Sequence, residues 1–270
     1  MRAPLLAAAL LSTTLLGSSG ATRLVAAAGP VSGATASPPP PVGWVVKNSP
    51  YDGRFTFVRI RFTLRPGFFG YFEGHPDIKW DHDFPRAETH FMKIIQELST
   101  LDPVQGGGNI FSFDEPEVFR YPVAYLCEPG FWDPTEAEVA GMRAYFQKGG
   151  FVIFDDFFGD RTWSNFTEQM ARVLPDLRPI RLTGKEPIFD AFFHVDSLED
   201  HAISYGRRGP PEFWGYFEDN DPAKRLMAVA NYNNDIGESW EWSDTGAFPV
   251  DVTSTSYKLG VNYLMYAMTH

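Results

Sequence analysis

Asp155 and Asp156 stand side by side at the end of the apolar run FVIFD. On an extended strand, adjacent side chains point to opposite faces, so at most one of the two faces a pocket directly. A carboxylate so placed can bind a hard cation through oxygen or act as a base. The other roles open to the pair are capping the next helix and accepting backbone N–H groups. His194 follows Phe192 and Phe193 and lies near Asp196. An imidazole beside a carboxylate serves as a base, a metal ligand or a hydrogen-bonded structural group. With Asp156, His194 is the candidate catalytic residue if the chain is an enzyme. No G-x-S-x-G occurs, so no serine nucleophile is signalled.

Asp81, His82, Asp83 and His90 form a second polar group within WDHDFPRAETH. Carboxylate with imidazole suits several divalent ions, although the spacing fits no zinc motif. The simpler role is that of loop and cap residues ahead of a helix. No cofactor is expected beyond such a divalent metal. Asn231 to Trp242 (NYNNDIGESWEW) sets Asn233, Asn234 and Asp235 close to Trp240. Amides and carboxylates bind hydroxyls and aromatic faces cover a sugar, so the segment suits a carbohydrate or other small polar ligand. It equally describes an Asn-rich turn whose Trp residues fill the core edge. Glu128, Gly130 and Trp132 make a further loop, where Gly130 permits close backbone approach and Trp132 walls a pocket or staples the next helix.

Elements that alternate between strand and helix must position these residues. Arg54 to Thr63 reads as a first strand and Glu88 to Thr100 as a helix with Phe91, Ile94, Ile95 and Leu98 at helical spacing. Strands follow at 109–113 and 122–127. The sequence Asp133-Pro134-Thr135-Glu136 starts a helix, with Asp133 as the expected cap, which stops at Gly149-Gly150. Next come a buried strand at 151–155, a helix at 162–174, a strand at 226–231 and a closing helix at 257–269. Residues 64–87 and 199–222 read as long loops. The alternation implies a three-layer α/β fold, a mostly parallel sheet with helices on both faces. Ligands in such folds gather beyond the carboxyl ends of the strands. That rule selects the segments at Glu128, Asp155, His194 and Asn233, and it predicts that Asp156, Glu128, His194 and Asn233 share one cleft.

The chain has 270 residues, 34 acidic against 23 basic, and a net charge of −11. That balance excludes a nucleic-acid partner and argues against an anionic membrane surface. One cysteine allows no internal disulfide and no cysteine-based zinc site. Arg2, an apolar stretch from Ala3 to Leu16 and small residues beyond it have the layout of a secretory signal peptide over residues 1–28. The stretch is shorter than the ~18–20 residues of a membrane span, so no span is expected in the mature chain. Removing residues 1–28, which carry Arg2 and Arg23 but no acid, takes the charge from −11 to −13. A Pro-rich linker is expected over 29–50 and one domain over 51–270. The expected location is secreted or periplasmic.

The order strand, Pro-Gly turn, helix, Gly-Gly, apolar strand and sharp turn between Tyr125 and Gly159 is similar to class I glutamine amidotransferase-like domains, whose fold is flavodoxin-like. In that superfamily the strand after Gly-Gly leads to a nucleophile elbow, usually bearing Cys. Along GGFVIFDDFFG the resemblance puts Asp156 at the elbow, whereas Cys127 lies on the preceding strand. Glutaminase activity is therefore not expected. The stretch KEPIFDAFFHVDSLED looks like the corresponding part of trehalose-utilisation-type members, which also lack the Cys. The phrases FTFVRIRF, EPGFWDPTEAEVAGMRAYFQKGGFVIFDDFFG, ANYNNDIGESWEW and LGVNYLMYAMTH resemble the bacterial family called domain of unknown function 4159. Three functions follow as expectations: a domain binding a small polar or carbohydrate-like ligand, a glycan or ester hydrolase using Asp156, or a structural partner of an envelope protein.

Overall fold

A computed structural model describes residues 47–68, 70–72, 75–195, 197–198 and 209–270. The expected signal peptide and most of the expected linker lie outside the described residues, as does Asp196. The strands are β1 (Val58–Ile60), β2 (Tyr71–Phe72), β3 (His75–Pro76), β4 (Asn109–Phe111), β5 (Val123–Cys127), β6 (Phe151–Phe157), β7 (Ile180–Arg181), β8 (Glu212–Phe217) and β9 (Leu226–Tyr232). The helices are α1 (Arg86–Leu98), α2 (Glu136–Gln147), α3 (Asp160–Val173), α4 (Ile236–Glu241) and α5 (Val250–Thr269).

Seven strands form one sheet in the order β4-β1-β5-β6-β9-β8-β7. The contacts from β4 across to β9 are parallel, and β8 and β7 add an antiparallel edge. Alternation along each strand decides the layers. Val123, Tyr125, Cys127 and Ile153 face a core closed by Phe91 and Ile95 of α1, Trp240 of α4 and Leu264 of α5. Ala124, Leu126, Val152 and Phe154 face the opposite core, closed by Met142 and Phe146 of α2 and Phe166 and Met170 of α3. The result is a three-layer α/β fold consistent with a flavodoxin-like arrangement.

Several boundaries differ from the sequence reading. The cap of α2 is Thr135, not Asp133. Its side chain accepts from Glu138 N while the Glu138 carboxylate accepts from Thr135 N, so a reciprocal capping box outcompetes the earlier aspartate. Helix α5 begins at Val250, seven residues before the expected start, through a polar DVTSTS turn that shows no apolar period. Strand β8 lies inside the segment read as loop 199–222. Asn48, read as linker, belongs to the fold: its side-chain amide donates to Ile110 O at 2.8 Å and accepts from Ile110 N at 2.9 Å. It thus closes the open edge of β4 as a paired strand would.

Candidate functional site

The sheet order sets the place of the site. From β1 the chain crosses to β4 on one side, then returns to β5 on the other. Such a switch point opens a crevice beyond the carboxyl ends of the flanking strands. The loop after β1 brings Asp77, Lys79, His82 and Asp83 here, and β5 ends on Glu128. Arg59 on β1 fixes that loop from below: Nη1 donates to Trp80 O and His82 O, each at 2.8 Å, while the guanidinium pairs with the buried Glu88 of α1.

Five residues around this crevice hold left-handed backbone without being glycine: Lys79 (φ 66°), Asp83 (φ 65°), Glu128 (φ 51°), Asp156 (φ 58°) and Asn233 (φ 54°). Each such residue costs about 1–3 kcal/mol and persists only where its surroundings over-determine it. At Asp156 the strain coincides with a break in the β6–β9 register between Phe154 and Phe157. There the strand leaves its pleat and the Asp156 carboxylate turns toward the β5 end.

His82 is the centre of the polar group. Its Nε2 lies 2.9 Å from Asp77 Oδ1, and its Nδ1 lies 3.1 Å from Glu128 Oε1 and 3.7 Å from Asp156 Oδ2. Lys79 Nζ lies 2.7 Å from Asp77 Oδ2 and 3.4 Å from Glu128 Oε1, with the Phe131 ring beneath it at 4.7 Å. Burial alone would drive the imidazole neutral, but the bonds to Asp156 and Glu128 outweigh it and push His82 up to about 11. Burial, reinforced by the Asp156 charge and opposed by His82 and Lys79, pushes Glu128 up to about 7. Burial pushes the Cys127 thiol well up, and its Sγ donates only a long 3.6 Å contact to Asp156 Oδ2. Two groups have metal-ligand spacing, His82–Glu128–Asp156 and Asp83–Glu238–Glu241, each with its ligand atoms within 4.8 Å of one another.

The two adjacent aspartates divide their work. Asp155 is sealed in the core. Its Oδ2 accepts from Tyr125 OH at 2.8 Å, Ile236 N at 2.9 Å and Gly237 N at 3.0 Å, and its Oδ1 from Asn231 Nδ2 at 2.9 Å. Burial raises it to about 6 against the pull of these bonds. Asp155 is therefore the anchor of α4 rather than a ligand contact. Asp235 caps the same helix, its Oδ1 accepting from Glu238 N at 2.8 Å.

The remaining expected site residues fall in several places. Asn233 lies at the rim, with Oδ1 accepting from Gly159 N at 3.0 Å. Asn234 is buried and bridges to Phe157. Gly130 serves packing, since a Cβ there would sit 2.3 Å from Thr162 Cβ on α3. Trp132 and Trp240 do not wall the crevice. Trp132 is buried against Phe154, and Trp240 stacks on Phe91 at 4.4 Å within the α1–α4–α5 core. Their large apolar area decides their place, and half-buried Phe131 is left as the aromatic beside Lys79.

His194 does not join Asp156. It stands on an exposed surface with Nδ1 3.0 Å from Asp190 Oδ1. His82 occupies the position expected of it. His90 also lies apart, its Nδ1 2.8 Å from Trp240 O. Asp81 is half-buried beside His82, and burial raises its carboxyl. Asp77, Lys79, Glu238 and Glu241 were missed as site residues. The dense charge of the DIKWDHD stretch was the signal for the first two. A cavity of about 340 Å³ lies at the opposite end of β9, lined in part by Phe217, Lys224, Arg225 and Tyr266, away from all these acids.

Fold and crevice together define the class, a mostly parallel α/β domain with an acid-rich group at its strand ends. The family model for the domain of unknown function DUF4159 matches residues 68–268, and the chain belongs to that family. The FTFVRIRF strand region lies before the matched segment. No curated protein matches the chain. Among the described residues, no helix is long and apolar enough to cross a membrane.

Proposed function

We propose that the chain is an extracytoplasmic domain that binds a small, hydroxyl-rich polar ligand in the crevice beyond β1, β5 and β6. The scaffold would be amidotransferase-like, without the nucleophile. One observation carries this reading: Glu128, Asp156, His82 and Lys79 meet at the sheet's switch point on strained backbone. Carboxylates, an imidazolium and an ammonium offer acceptors and donors to hydroxyls within one small area. Left-handed φ at Asp156 is what a sharp turn at an elbow requires, and Cys127 is too buried to supply a thiolate. The extracytoplasmic part rests on the layout of residues 1–28.

The test is a thermal-shift panel of monosaccharides and polyols, run in EDTA on the chain without residues 1–28. At least one compound should raise the melting temperature, and Glu128→Gln should abolish that rise. Flat melting curves across the panel at tens of millimolar would overturn the reading.

A second reading is favoured by Glu128 alone. A carboxyl held near 7 beside a protonated histidine is poised for acid–base work. A hydrolase would then use Glu128 and Asp156 on a glycan or ester. Asp156→Asn should abolish its turnover while leaving the melting temperature nearly unchanged.

A further inference from the structure

The crevice has a second acidic group, and its charge is not balanced from within. In the first group the protonated His82 and Lys79 sit between the carboxylates. In the second, Asp83, Glu238 and Glu241 bring carboxylate oxygens within 4.8 Å of one another. Among the described residues no hydrogen bond or ion pair reaches any of these three carboxylates. The nearby cations are engaged elsewhere: Arg59 holds Glu88 and two carbonyls, and Arg86 pairs with Asp244 above the Trp242 ring.

Asp83 gives an independent observation. Its side chain is buried, with 8% of the residue exposed, and its Oδ2 has no hydrogen-bond partner. That oxygen faces α4, since a Cβ built on Gly237 would lie 2.6 Å from it. A buried carboxylate without a donor is costly, and natural folds rarely leave one without an ion, a proton or a water. Glu238 and Glu241 are three residues apart on α4 and so share a face. Both are half-exposed, which leaves an open side for solvent ligands.

We propose that Asp83, Glu238 and Glu241 form a calcium site. An all-oxygen set selects a hard cation over zinc or copper. Calcium binds oxygen at about 2.3–2.6 Å, so ligands on opposite sides of the ion stand about 4.6–5.2 Å apart, the span this group already has; magnesium, at about 2.0–2.1 Å, would require contraction. Water from the open side completes the shell. The ion ties the loop after β1 to α4, and therefore fixes His82, the neighbour of Asp83. This site does not rest on the polar-ligand reading above.

The experiment is thermal shift and isothermal calorimetry with CaCl₂ on the EDTA-treated chain lacking residues 1–28. Millimolar calcium should raise the melting temperature by several degrees, with a smaller rise for magnesium. The double variant Glu238→Gln/Glu241→Gln should lose the rise, and so should Asp83→Asn, which should melt in EDTA at or above the wild type because it removes the uncompensated charge. Glu128→Gln should keep it. No calcium effect in the wild type overturns the site. So does an effect that survives the double variant but disappears in Glu128→Gln, which would move the ion to His82–Glu128–Asp156. Because the polyol panel is read in EDTA, either proposal can fail without the other.

Discussion

Arg59 and Glu88 form an ion pair that is closed to solvent on both sides, with side-chain exposures of 1% and 0%. The pair lies beneath the loop that carries His82, and the same guanidinium holds two carbonyls of that loop. Removing one partner of a buried pair leaves the other charge uncompensated and costs about 3–5 kcal/mol. Glu88→Ala is expected to lower stability by that amount in urea denaturation. A loss below about 1 kcal/mol would mean that water reaches the guanidinium.

Asp155 and Asp156 are neighbours with opposite expected phenotypes. Asp155 accepts four hydrogen bonds from buried donors on β5, β9 and α4. Truncating it leaves Tyr125 OH and two backbone N–H groups without their acceptor. At about 1–3 kcal/mol for each unsatisfied buried group, Asp155→Ala should cost at least about 3 kcal/mol. Asp156 makes no comparable set of bonds, so Asp156→Asn should shift the melting midpoint little. Differential scanning calorimetry on the two variants checks the contrast. Equal losses would show that both residues serve the fold.

The elements that sequence reading captured are those with a long local period. Val123–Cys127, Phe151–Phe157 and Phe91 to Leu98 carry enough apolar residues in register to reveal buried strands or a helix. Helix α4 has only six residues, too few for periodicity, and its start depends on Asp155 from a strand 80 positions away. Strand β8 was hidden among Gly and Pro signals. At the site, Glu128, Asp156 and Asn233 followed from the rule about strand ends, because that rule depends on element order alone. His82 did not, because its place depends on Arg59 and Glu88 holding a long loop. His194 was chosen by proximity to acids in sequence, a cue that does not survive when the chain turns away from the sheet.

Gly130 is expected to be intolerant of any side chain. It sits in the turn after β5, where a Cβ would meet Thr162 Cβ at 2.3 Å, Thr162 Cγ2 at 2.7 Å and Thr162 Cα at 3.0 Å. The last of these is backbone, so trimming Thr162 cannot relieve the clash. Gly130→Ala must push the turn off α3, at a cost of about 1–3 kcal/mol for overpacking. Urea denaturation of Gly130→Ala and Gly130→Ala/Thr162→Ala reads this directly. Full recovery in the double variant would place the strain in the threonine side chain alone.

Stability should fall as pH rises from 5 to 7 when measured in EDTA. Glu128, faced by Lys79, His82 and Asp156, has its folded pKa raised from 4.5 to about 7. Asp155 is raised from 3.8 to about 6. In each case the unfolded chain loses its proton first, so in the window between the two pKa values the folded state binds more protons. The slope of unfolding free energy against pH is then negative, up to about 1.4 kcal/mol per pH unit for each group. The contribution of Asp155 develops between 3.8 and about 6, and that of Glu128 between 4.5 and about 7. Urea midpoints at pH 5, 6 and 7 should decline in the wild type. Glu128→Gln, which cannot ionise, should flatten the decline between pH 6 and 7 while leaving part of that between 5 and 6. A wild-type midpoint that rises over this range would show that Glu128 ionises as readily in the fold as in the open chain.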